Sequence, residues 1–155
     1  MATRETADLG EAHLPKHESI KAFGEIEHEL RKQLVHLRHD HDKHQPESFA
    51  AASGLSDHEL ASFTSHDLVL VRVASTAYGI ILFGKLRIPA LVAAAGGDEA
   101  APAYVHFRAF DEGPNSKACF HSFYTREIDT PTDEGDGHLH TYQTLLPATE
   151  ALEWF

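Results

Sequence analysis

Two runs of alternating residues, Tyr104–Phe110 and Ala118–Thr125, flank a short polar break at Asp111–Lys117. A period of two is the mark of a half-buried strand, because successive side chains point to opposite faces of a sheet. The break holds Gly113-Pro114-Asn115, residues that supply turn geometry. The segment therefore reads as a β-hairpin with a polar tip. A second hairpin lies upstream. Leu68–Val73 and Tyr78–Phe83 are rich in β-forming residues, and the small residues Ala74-Ser75-Thr76-Ala77 between them read as its turn.

Ahead of both hairpins the period changes. Ile20, Phe23, Ile26, Leu30, Leu34 and Leu37 recur every three or four residues, which predicts one amphipathic helix over about Glu18–His41. Its narrow apolar stripe and charged opposite face suit a helix laid across a sheet. Residues 1–16 are polar and read as a mobile N-terminal arm, leaving 17–155 as a single domain. Pro46 ends the helix at the latest, and Ser56-Asp57-His58-Glu59 is a capping-box pattern that opens a short helix to about Phe63. Pro89–Pro102 reads as a loop, Asp129–Gly137 as an acidic turn, and Leu139–Leu146 as a last short strand. The expected class is α+β: one long N-terminal helix packed on an antiparallel sheet of four or five strands.

Composition narrows the function. The formal charge is −11, from 24 acidic residues against 13 Lys and Arg. That balance argues against nucleic acid as a partner and against an anionic membrane surface, since both require a basic footprint. No apolar run approaches the ~20 residues of a membrane helix, and the N-terminus has no apolar signal core, so a soluble cytoplasmic protein is expected. Cys119 is the only cysteine, which precludes an internal disulfide; its place in a strand reads as a buried, inert thiol.

Several segments resemble the cystatins, and among them the stefins, which lack disulfides and signal peptides. Leu9-Gly10-Glu11-Ala12 is similar to the stefin N-terminal trunk, and Ile26–Leu34 to the helix that follows it. Val71-Arg72-Val73-Ala74-Ser75-Thr76-Ala77-Tyr78 occupies the place of the family's Gln-Val-Val-Ala-Gly-Thr-Asn-Tyr hairpin, with Val71 for the Gln and Ser75 for the Gly. Val105-His106-Phe107-Arg108-Ala109-Phe110 is similar to the Val-His-Leu-Arg-Val-Phe strand, and the terminal Trp154-Phe155 echoes the aromatic stefin terminus. The resemblance implies a cystatin-like fold and reversible inhibition of papain-like cysteine proteases by an edge wedge. Its contact residues would be Leu9 and Gly10 of the trunk, Val73, Ala74, Ser75, Thr76 and Ala77 of the first loop, and Gly113, Pro114 and Asn115 of the second. No catalytic residue, metal or cofactor is implied.

Two other groupings invite chemistry. His36, Asp40 and His44 share a helix face, a spacing at which imidazoles ligate zinc, with His39 and His41 nearby. No cysteine accompanies them, and they are read as a solvated helix end without metal. Tyr104, His106 and Arg108 share a strand face, and with His121, Tyr124 or Asp111 they define an alternative. That alternative is a cystatin-fold binding module, or a small-molecule enzyme with a cyclase- or dehydratase-like pocket around His106. No phosphate-binding loop, nucleophile elbow or zincin motif is present.

Overall fold

A computed structural model describes residues 7–113, 115–131 and 137–155. Helix α1 (His17–His44) crosses one face of a five-stranded antiparallel sheet made of β1 (Asp8–Leu9), β2 (Leu68–Thr76), β3 (Gly79–Arg87), β4 (Tyr104–Asp111) and β5 (Cys119–Phe123). The strands are hydrogen-bonded in the order β1-β2-β3-β4-β5. The fold is α+β and cystatin-like in arrangement. Among the described residues no helix is long and apolar enough to cross a membrane.

The helix is attached by its apolar stripe. Phe23, Ile26, Leu30 and Leu34 are fully buried, and each contributes on the order of 1.5–3 kcal/mol through the area it removes from water. Ile20, expected in the same stripe, is 44% exposed, and Ser19 and Ala22 are buried instead. The buried face continues past Leu37 through Arg38 and His41. The helix thus runs one turn beyond the predicted end at His41.

Strand alternation assigns the sheet faces. In the register Val71↔Gly84↔Phe107, all three positions lie on the helix side. Phe107 packs at 6.3 Å between ring centroids from Phe23, which in turn meets Phe63 edge-on. Gly84 makes room for that ring: a Cβ there would collide with Cε1 and Cζ of Phe107 and lie 3.0 Å from Cδ1 of Leu68. The opposite face holds a second, smaller cluster. Ala74, Ile81, Phe83 and Leu152 are buried in it, with Leu9, Phe110, Trp154 and Phe155 packed around them.

The segment between α1 and β2 builds structure of its own. Phe49, Ala52, Leu60 and Phe63 are fully buried against α1. The lone apolar Phe49 in a polar stretch gave no periodic signal, yet it seals the end of the core. Arg38, itself buried, donates to the carbonyl oxygens of Ala52 (3.3 Å) and Leu55 (2.7 Å) and to the Asp57 carboxylate. Asp57 also pairs with His39 at 2.8 Å, and these two hydrogen bonds hold its carboxyl below the usual range. Asp57 opens α2 (Asp57–Leu60), shorter than the expected run to Phe63. The predicted capping box is present: Ser56 Oγ accepts from the Glu59 N–H and the Glu59 carboxylate accepts from the Ser56 N–H. Ser56→Ala is expected to cost about 1 kcal/mol by losing that cap, read as a lower urea midpoint with unchanged slope.

A helix lies within the expected loop Pro89–Pro102, and the last short strand expected at Leu139–Leu146 is present at His138–Gln143. Pro89–Ala95 forms α3, begun by Pro at its first position and ended by Gly96 at φ +62°. Arg126–Pro131 (β6) pairs with His138–Gln143 (β7) in a separate two-stranded ribbon. Residues 129–131 of the acidic turn expected at 129–137 are strand instead, and residues 132–136 lie outside the described residues. Residues 8–13, expected within a mobile arm, run beside β2: Asp8 and Leu9 pair with Ser75 and Ala74, and His13 bridges Val71.

Candidate functional site

Three segments remote in sequence meet at one end of the sheet. The first is β1, which lies against the last residues of β2. The second is the β2–β3 turn. Thr76 pairs with Gly79, so the two turn residues are Ala77 and Tyr78 rather than the expected Ala74–Ala77. The third is the segment after β4. Ile80 pairs with Asp111, which brings the β4–β5 loop beside the β2–β3 turn. Gly79 marks how close they are: at φ +145°, a Cβ on it would lie 2.5 Å from the Asp111 carbonyl oxygen and 3.0 Å from Glu112 Cα. Only glycine fits there.

Each expected contact residue has a definite place. Leu9 is half-buried on the smaller core. Gly10 is exposed, donates its N–H to the Val73 carbonyl at 2.9 Å, and would bring a Cβ to 3.3 Å from that oxygen. Val73 and Ala74 lie inside β2 and not at a tip; Val73 packs on the helix-side core and Ala74 is fully buried on the other face. Ser75 is exposed and strand-like; none of the described non-glycine residues has positive φ, so this position does not require glycine. Thr76 staples the turn, its hydroxyl donating to the Gly79 carbonyl (2.8 Å) and accepting from the Tyr78 N–H (3.2 Å). Ala77 is exposed, and Tyr78 beside it on the turn is 78% exposed. The sequence places Tyr78 in the β-forming run Tyr78–Phe83 and so outside the contact set.

In the second loop, Gly113 adopts φ +136° and donates its N–H to the Asp111 carboxylate at 3.0 Å, while Asn115 is exposed. Pro114 lies outside the described residues. The loop is tied to the helix where the Ala118 N–H meets the Glu25 carboxylate at 3.3 Å. Cys119, expected to be buried, is exposed at the start of the edge strand β5.

The face of the sheet away from α1 carries the residues of the alternative reading. His106 is buried, its ring 6.3 Å from the Tyr124 ring and nearly parallel to it. It faces Lys85 across the β3–β4 register, and its Nε2 has no hydrogen-bond partner. Burial, with the Lys85 charge second, pushes the imidazole down to about 4. Lys85 is also buried and donates to the Ala148 carbonyl at 2.8 Å; burial lowers its own affinity for the proton. His121 and Asp111 do not join this group: His121 is exposed and bonds Ser122, and Asp111 serves the loop. The space beside His106 and Tyr124 measures about 90 Å³ and is walled by Trp154 and Phe155. Small-molecule pockets run from roughly 300 Å³ upward, so this one is far smaller than a cyclase-type reaction needs.

The histidine-rich helix end is not simply a solvated face. His41 is buried edge-on against Phe49 at 5.6 Å, with Nδ1 unpartnered, and burial lowers its basicity. His39 is engaged by Asp57. Among the described residues no group of three or more His, Cys, Asp or Glu side chains is placed to hold a metal ion. Comparison of the chain with protein-family models, curated proteins and solved structures gives no match.

Proposed function

We propose that the chain is a reversible, cytoplasmic inhibitor of papain-like cysteine proteases, related to the stefins in the cystatin superfamily. What supports the reading is the convergence at one sheet end of trunk, β2–β3 turn and β4–β5 loop, the three segments that the family resemblance names as its wedge. Tyr78 stands on the turn at that edge, with Ala77 beside it; Leu9 and Gly10 lie on the β1 side, and Gly113 and Asn115 on the β4–β5 side. An aromatic ring on a two-residue turn suits a narrow apolar cleft, since it adds contact area with few rotatable bonds. The proposed binding is non-covalent and competitive.

The test is titration of papain and a cathepsin with the protein, read by hydrolysis of a fluorogenic peptide. Competitive, fully reversible inhibition is expected. Tyr78→Ala is expected to weaken it about tenfold or more, chiefly through faster dissociation. Absence of inhibition at micromolar protein sinks the proposal.

A further inference from the structure

We infer that the C-terminal segment 152–155 sets the position of the N-terminal trunk, acting through Arg72 as a positioning residue. Arg72 lies on the face of β2 away from α1, between two segments that have no direct backbone pairing to each other. Its Nε donates to the Gly10 carbonyl at 2.7 Å. Its NH1 donates to the Leu152 carbonyl at 3.0 Å and to the Glu153 carboxylate at 3.2 Å. One guanidinium therefore holds trunk and tail together, a task for which the planar fork of arginine is suited and the single ammonium of lysine is not.

The tail has its own seat, which is why it can act as the fixed partner. Leu152 is buried beside Ala74, Ile81 and Phe83. The Phe83 ring lies 5.4 Å from both Trp154 and Phe155. Arg108 stacks over Trp154 at 4.9 Å and donates to the Phe155 main-chain oxygen at 2.5 Å. The trunk has less to hold it. Two residue pairs with β2, the Gly10–Val73 bond and the His13–Val71 bridge are its backbone links. Leu9 packs into the same small cluster as Leu152 and the two terminal aromatics. Loosening the tail removes both the Arg72 anchor and part of the Leu9 seat at once.

The consequence for protease binding rests on the inhibitor reading, whereas the coupling of tail to trunk does not. Hydrogen–deuterium exchange on the full chain separates the two. In Arg72→Lys and in Trp154→Ala, amides of residues 8–13 are expected to exchange about tenfold faster, while those of β3 and β4 stay within twofold of wild type. Unchanged trunk exchange in either variant overturns the inference. So does acceleration of trunk and central strands together, since that reports general loosening. If exchange rises as expected but neither wild type nor variant inhibits papain, the coupling stands and the inhibitor reading falls. If wild type inhibits, both variants are expected to dissociate faster, in step with their trunk exchange.

Discussion

Phe107→Ala is expected to destabilise the fold by about 3–5 kcal/mol, the upper range for a large side chain removed from a rigid core. Phe107 is fully buried on the helix side of the central strands, in contact with Phe23 and seated over the backbone at Gly84. Gly84→Ala attacks the same contact from the other direction. Its methyl group would collide with the Phe107 ring and crowd Leu68, at a cost of about 1–3 kcal/mol or more. The informative measurement is the double variant. With the ring gone, the methyl group at position 84 enters the vacated space, so the combined loss should fall short of the sum of the single losses by about 1 kcal/mol or more. Strict additivity in urea denaturation would show that the ring does not rest on Gly84.

Acidification below neutrality should destabilise the protein through its buried histidines. The His106 imidazole titrates near 4 in the fold and near 6.5 in the unfolded chain. The folded value is the lower one. The unfolded state therefore binds more protons over this interval, and stability falls as pH drops below about 6.5, levelling off below about 4. At 1.36 kcal/mol per pKa unit the full loss is about 3 kcal/mol, most of it reached by pH 4.5. His41, buried against Phe49, is shifted the same way and adds to the loss. His106→Leu should remain comparatively stable from pH 7.5 to 4.5, with the difference from wild type narrowing or reversing as pH falls. A parallel pH dependence in wild type and variant would assign the acid sensitivity to other groups.

How much of this was legible in the sequence depends on whether a signal was periodic. The helix and β4 were visible because Phe23, Ile26, Leu30 and Leu34, or Val105, Phe107 and Ala109, repeat with the period of the element they build, and β2 and β3 because they are rich in β-forming residues. Positions governed by pairing were not. Ala74 and Ser75 are small and look like turn residues, yet the requirement for φ +145° beside Asp111 falls on Gly79 and moves the turn to Ala77-Tyr78. Asp8 and Leu9 form a strand only because the edge of β2 lies open beside them. Cys119 alternates like a core residue, but on an edge strand one face has nothing to cover it. Phe49 and Leu152 lie in segments with no apolar period and are fixed by tertiary packing. The buried His106 was recognisable as a shared-face residue, while the aromatic tail that closes over it was not. Of the candidate site, the three segments are those the family resemblance names; that Tyr78 stands on the turn follows only from the register.

The order of the sheet also has a kinetic meaning. Strands β2 to β5 join neighbours in chain order through connections that lie between them, so each pairing closes a comparatively short loop. The pairing of Leu9 with Ala74 closes a loop that contains the whole of α1 and the segment after it, and gains for that entropy only two strand pairs, the Gly10–Val73 bond and the His13–Val71 bridge. Folding should then complete at the trunk, and partial opening should begin there, with the other four strands still paired. The surface that the trunk helps to form is the last part of the molecule to be assembled and the first to be given up.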